Sequence, residues 1–337
     1  MGFRLRLLSA ATSAFARSRL GGARELADLR RAARRIGRFV ASPRDGGFHR
    51  QRLGPSAVDP QGCEQGLSDG GSASLAWFDE QKLDFGEARP AERAAGAVGV
   101  ILFAHGGGYV SGAPETHRSM IAALARHSGL PLAALDHRLA PEHPFPAAFD
   151  DACAAFSALQ SAGVAPSRIA LAGDGAGGGL ALSLGAALQR EGRPPAAIAA
   201  FSPWTDLALT SRSLRKNARR DALFSLERRR MSAKAYLAGA DPTDPRASPL
   251  YAAFEAPPPP TLLQIGSDDA LKDDGLRMAE RLRRAGGDVR LELFQGAPHG
   301  FQLFTPFVAE ATQALRSAAR FLRDAVEAAT ARAAAPV

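Results

Sequence analysis

From about residue 72 onward, short apolar runs alternate with longer stretches whose apolar residues recur every three or four positions. The runs at 74–79, 98–104 (VGVILFA), 131–136, 168–173 (RIALAG), 196–202, 261–266 (TLLQIG) and 288–294 (DVRLELF) predict strands. Several are continuously apolar, as strands covered on both faces must be. The longer stretches predict helices at about 116–128, 147–161, 176–191, 273–285 and 306–329. Strand–helix alternation of this kind predicts an α/β protein, a parallel sheet with helices on both faces. Residues 204–255, rich in Arg, Pro and Asp, break the rhythm and read as an insertion between two strands. Pro257–Pro260 reads as a stiff lead into the next strand.

Composition narrows the class. With 337 residues, 46% hydrophobic and 23% charged, the chain can bury a sizeable core and is not a disordered or fibrous sequence. No run approaches the ~18 to 20 apolar residues of a membrane-spanning helix, which argues against an integral membrane protein. Cys63 and Cys153 are the only cysteines, too few for a disulfide scaffold or a Cys-rich metal site.

The net charge of +8 is unevenly placed. Residues 1–52 carry thirteen arginines against Glu25, Asp28 and Asp45, a balance of +10, which leaves −2 for the remainder. Leu26, Leu29, Ala33 and Ile36 recur at helical spacing, so this basic arm is expected to include an amphipathic helix lying over the body with a solvated basic face. Ala14-Phe15-Ala16, following Arg4 and Arg6, raises an N-terminal export or targeting segment as an alternative to a cytoplasmic protein. Membrane-surface or nucleic-acid contact is the third reading of the arm. The lack of interleaved aromatics gives no support to base stacking, and no nucleic-acid partner is expected.

Four motifs follow predicted strands, where open α/β sheets place their ligands. His105-Gly106-Gly107-Gly108 follows VGVILFA. Consecutive glycines let backbone N–H groups point at a developing oxyanion, although a triple glycine can also be only a tight loop. Gly173-Asp174-Gly175-Ala176-Gly177-Gly178 lies where strand 168–173 meets helix 176–191. It occupies the place of a hydrolase elbow, G-x-S-x-G, with Gly175 at the serine position. It also reads as G-x-G-x-x-G, a dinucleotide fingerprint. Against that reading, at least two strand–helix units precede it, and the next strand ends in Ser202-Pro203-Trp204 without an acid. Gly266-Ser267-Asp268-Asp269 follows TLLQIG, where a carboxylate can orient a histidine or cap a helix. His299-Gly300-Phe301 follows the last strand. A lone histidine is usually structural, but the order elbow, Asp, His, each after its own strand, favours chemistry.

Together HGGGYVSG (105–112), DHRLAPEHPFPAA (136–148), GDGAGG (173–178), DPTDPRASPL (241–250), GSDDALKDDG (266–275) and HGF (299–301) resemble the hormone-sensitive-lipase family of α/β-hydrolases, in its bacterial carboxylesterase branch. The resemblance implies an eight-stranded, mostly parallel sheet. It implies cap helices from residues 1–70, a hydrolase core at 71–203 and 256–330, and a cap insertion at 204–255. It implies Asp269 and His299 as the acid and base of a triad, with Gly107, Gly108 and Ala176 donating the oxyanion-hole N–H groups. The segment with Asp136, Arg138 and Glu142 is expected to be a buried, salt-bridged support. A small-molecule ester is the implied substrate, no metal or cofactor is called for, and a homodimer is the candidate assembly.

The family pattern is GDSAGG, and this chain has Gly175 where the nucleophile belongs. Glycine has no hydroxyl, so no acyl-enzyme can form there. Ser183 and Ser202 do not occupy the elbow, and Ser111 lies just past the glycine loop. Two readings fit: an engineered or otherwise recent loss of the serine from a working esterase, or a natural ligand-binding pseudoenzyme, of which the plant gibberellin receptors are a precedent in this family. A dinucleotide-binding oxidoreductase is the third function class carried forward.

Overall fold

The computed structural model describes residues 47–53, 73–79, 94–218, 220–221 and 225–334, together with positions 26, 28, 30, 31 and 34 of the basic arm. Eight strands form one sheet: β1 (Gly47–Arg52), β2 (Ser74–Asp79), β3 (Val100–Ala104), β4 (Leu132–Asp136), β5 (Ile169–Asp174), β6 (Ala197–Phe201), β7 (Thr261–Gly266) and β8 (Val289–Phe294). Their spatial order is β1-β2-β4-β3-β5-β6-β7-β8. From β4 through β8 every pairing is parallel, and β2 is antiparallel to both β1 and β4.

Alternation sorts the strand residues onto two cores, because successive side chains leave a strand on opposite faces. Leu102, Leu135, Leu171, Ala200 and Leu263 face one layer with Phe149, Phe156, Leu180, Leu184 and Met278. Those partners lie on α2 (Ala147–Ser161), α3 (Gly175–Arg190) and α6 (Lys272–Arg284). Ile101, Phe103, Ala134, Ala170 and Leu262 face the other layer, closed by Met120 and Ile121 of α1 (Arg118–Ser128) and Leu315 and Leu322 of α7 (Ala309–Ala334). Strands β3 and β5 are buried at every residue, whereas the edge strand β8 is half-buried.

The insertion contributes a single turn, α4 (Ser213–Lys216), and α5 (Leu226–Leu237), which Ser225 caps by accepting a hydrogen bond from Arg228 N–H. Helix α5 lies against the loop after β3: Tyr236 stacks on Tyr109 with ring centroids 3.9 Å apart, and its carbonyl accepts from Phe145 N–H.

The seven strands and five helices read from periodicity are present, within about three residues at most boundaries and with α7 running five residues longer than expected at its end. The eighth strand corrects the expectation that residues 1–70 hold only cap helices, because Gly47–Arg52 pairs antiparallel with Ser74–Asp79. Arg30, Arg31 and Arg34 are helical. Leu29, Ala33 and Ile36, and the Ala14-Phe15-Ala16 segment, lie outside the described residues.

Three acids of the body receive arginines of the N-terminal region: Arg30 pairs with Glu142, and Arg50 with Glu115 and Asp136. Arg138 instead pairs with Asp151 inside the protein. Among the described residues no helix is long and apolar enough to cross a membrane. Cys153, buried in α2, is disulfide-bonded. Cys63, the other cysteine in the sequence, lies outside the described residues.

Candidate active site

Parallel register brings the site together. Ala104 of β3 sits beside Gly173 of β5, so the glycine loop and the elbow leave the sheet side by side. On the other flank Gly266 of β7 sits beside Phe294 of β8, which does the same for the Asp269 and His299 loops.

At the elbow the chain turns from β5 into α3 at Gly175, with φ +52°. Glycine adopts this left-handed torsion without strain. A β-carbon built on Gly175 would lie 3.4 Å from His299 Nε2 and 3.9 Å from the Gly106 Cα, with no backbone clash. The neighbouring glycines differ, because a β-carbon on Gly177 would come within 2.1 Å of the Ala104 carbonyl oxygen and one on Gly173 within 2.4 Å of the Gly177 oxygen. They are needed for close packing of α3 on β3. His299 and Gly106 thus flank the start of α3 at contact distance from the Gly175 β-carbon position.

Asp174 joins the elbow to the glycine loop. Its Oδ1 accepts from Gly106 N–H at 2.9 Å and its Oδ2 faces His117 Nε2 at 3.3 Å. Burial works to lower the His117 proton affinity, but the Asp174 charge more than offsets it and the pKa is raised. Gly107 and Gly108 have φ of +125° and +65°, and Val110 N–H, Ser111 N–H and the Ser111 hydroxyl all close on the Gly107 carbonyl. Among the described residues no acceptor takes the amides of Gly107 or Gly108. The Ala176 amide lies in the first turn of α3, where helices have no internal acceptor.

His299 Nδ1 faces Asp269 Oδ1 at 3.1 Å and Oδ2 at 3.3 Å, with the carboxylate fully buried. Burial would raise the Asp269 pKa, yet His299 beside it and Arg229 nearby leave it lowered. Burial would lower that of His299, and the charges of Asp269 and Asp221 leave it raised. The sequence-expected residues Gly175, His299 and Asp269 thus stand in line, with Gly107 and Gly108 following directly on Gly106.

The other serines have different work. Ser183 donates to the Pro245 carbonyl, and Ser111 closes the glycine loop. Ser202, at φ +47° and fully buried, accepts from Gly300 N–H and helps keep Asp269 ionised. Motif reading weighed Ser202 only as a nucleophile and missed Asn217, Asp221 and Arg229. Asn217 donates to the carbonyls of Ser267 and Asp269, and Asp221 accepts from Ala270 N–H and Arg229. The polar atoms of Asp221, Asp269 and His299 lie within 4.8 Å of one another. The place of a cation beside Asp221 is taken by the Arg229 guanidinium, 3.0 Å away.

A cleft of about 420 Å³ opens beside the glycine loop, lined among others by Ser111, Gly112, Arg30, Arg34 and His143.

A family model described as alpha/beta hydrolase fold matches residues 101–303. An acetyl-hydrolase of Streptomyces hygroscopicus is 39% identical over 226 residues, 67% of this chain and 75% of the relative. An esterase of Acinetobacter venetianus is 38% identical over 229 residues, again 67% and 75%. A crystal structure of an esterase from the bacterial hormone-sensitive lipase family superposes with a TM-score of 0.77 at 36% identity, covering 94% of this chain and 98% of that one. The chain belongs to the α/β-hydrolase-fold family, in its bacterial hormone-sensitive-lipase branch. By family it is a carboxylesterase-type hydrolase.

Proposed function

We propose that this chain is the scaffold of a Ser-Asp-His carboxylic-ester hydrolase whose nucleophile position is held by Gly175. The observation that carries the reading is the 3.4 Å between His299 Nε2 and the β-carbon position of Gly175, at an elbow torsion a nucleophilic serine would share. Names of relatives support esters as the substrate class.

With a serine at 175, His299 Nε2 takes the hydroxyl proton as Oγ attacks the ester carbonyl. The tetrahedral oxyanion is held by the amides of Gly107, Gly108 and Ala176, and Asp269 fixes the Nδ1–H tautomer and stabilises the imidazolium. His299 then protonates the departing alcohol, and water repeats the sequence in reverse to release the acid. As the chain stands, no acyl-enzyme forms, and His299 can only assist a water molecule, which makes turnover slow.

A small-molecule-binding pseudoenzyme is the second reading, and the absent hydroxyl itself favours it. Restoring serine at 175 and assaying a short p-nitrophenyl ester separates the two. A homodimer stays a proposal. So does a cytoplasmic setting, and the disulfide at Cys153 weighs toward an oxidising compartment instead.

A further inference from the structure

We propose that Asp221, held by Arg229, is a second carboxylate serving His299: a positioning residue that anchors the acid loop and shares the charge of the protonated imidazole. The inference deepens the hydrolase reading, and its catalytic meaning rests on it.

Asp221 is 1% exposed and comes from the insertion, not from the sheet loops that carry the dyad. Its Oδ2 accepts from Ala270 N–H, the residue directly after Asp269, and from Arg229 Nη2, both at 3.0 Å. Asn217, four residues earlier, holds the same loop through the Ser267 and Asp269 carbonyls. The insertion therefore grips the acid loop at three points on either side of the carboxylate, Ser267, Asp269 and Ala270. The second oxygen, Oδ1, is buried with no partner among the described residues. A buried carboxylate oxygen without a donor is costly unless its charge is used.

Charge balance says how it is used. Among the described residues, the charged groups that act on His299 are Asp269 on the loop after β7, Asp221 on the insertion and Arg229 on α5. The turn before α3 presents Gly175 to it, and at the end of β6 the Ser202 hydroxyl meets the next residue, Gly300, and Asp269; neither Gly175 nor Ser202 carries charge. With neutral imidazole the cluster carries one uncompensated negative charge. With imidazolium it is neutral. A hydrolase needs that preference, because imidazolium forms as the serine attacks.

The test uses the chain as it exists. The His299 imidazole is titrated by NMR, its signal assigned by loss in His299→Gln. Asp221→Asn keeps the shape and an acceptor for Ala270 N–H but removes the charge. It is expected to lower the His299 midpoint by about one pH unit, the size of effect of a charge a few ångströms away. Arg229→Gln leaves Asp221 uncompensated and is expected to raise it. Opposite signs from two partners of one ion pair are not the mark of a merely structural role. An unchanged or raised midpoint in Asp221→Asn overturns the proposal. Should that variant not fold, a midpoint in Arg229→Gln that fails to rise does so instead. In the serine-restored chain the same shifts should reappear in the acid limb of kcat/KM. If that chain has no esterase activity while the NMR shifts hold, the hydrolase reading fails and the positioning role of Asp221 stands.

Discussion

Arg30 Nε donates to the Val110 carbonyl at 2.7 Å, so a residue of the basic arm holds the far end of the loop that carries Gly107 and Gly108. The same guanidinium donates to the Ala140 carbonyl and, bidentately, to Glu142. Glu142 is more than half exposed, and its pKa is lowered to about 2, first by the hydrogen bond from Arg30. Such an exposed pair is worth little by itself. The two backbone carbonyls are the contacts that matter. Arg30→Ala is expected to cost about 1 kcal/mol of stability, read by urea unfolding, and to lower kcat of the serine-restored chain several-fold. Arg30→Lys should recover the charge but not the fork geometry, and so little of the rate.

The glycine loop tolerates no side chain at Gly107. A β-carbon there would sit 2.0 Å from the Ser111 carbonyl oxygen, at φ +125°. Gly107→Ala is expected to destabilise the fold by about 3 kcal/mol, measured as a lower urea midpoint at unchanged slope. At Gly175 the torsion is less demanding and a β-carbon meets its neighbours only at contact distance, so Gly175→Ser should cost about 1 to 2 kcal/mol.

Asp274 makes stability depend on pH. It is fully buried, accepts from Thr205 N–H, Asp206 N–H and the Ser211 hydroxyl, and its carboxyl is pushed up to about 7, chiefly by burial. A raised folded pKa means the native state holds the proton more tightly than the unfolded chain. That stabilisation is complete below about pH 4 and is lost as pH rises toward 7, at a slope of about 1.4 kcal/mol per pH unit. Stability curves between pH 4.5 and 8 should show this loss, and Asp274→Asn should flatten it.

Cys153 is disulfide-bonded, and the sequence has one further cysteine. The unreduced chain, denatured, is expected to show no titratable thiol, and two after reduction. Reduction should lower the thermal midpoint, since the cross-link restricts the unfolded chain.

Much of this was legible in the order of residues. Strands β3 and β5 announce themselves as unbroken apolar runs, and the elbow, Asp269 and His299 each follow a strand that the pattern marks. Strand β1 did not, because GFHRQR is a half-exposed edge with polar residues at both phases, embedded among arginines. Helix α5 was equally hidden: Arg228 and Arg229 are buried in it, and Arg229 pairs there with Asp221. Asp221, Asn217 and Ser202 carry no local signal, since their roles are hydrogen bonds to loops some 50 to 100 residues further on. The glycine fingerprint misled in the opposite direction. Its spacing fits a dinucleotide, but Gly173 is a glycine for packing against α3 and β3, and Gly175 stands at the elbow facing His299.

The most direct measurement is kcat/KM for a short p-nitrophenyl ester with Gly175→Ser beside the chain as it stands, together with labelling by an organophosphonate. The restored serine is expected to raise kcat/KM by at least about 10³-fold and to take the label, while the unaltered chain takes none. Its acid limb should fall above pH 6.5, because Asp269 and Asp221 raise the proton affinity of His299 and the base must be neutral to act. A folded Gly175→Ser chain that neither hydrolyses the ester nor takes the label, or a label on the unaltered chain, would contradict the account.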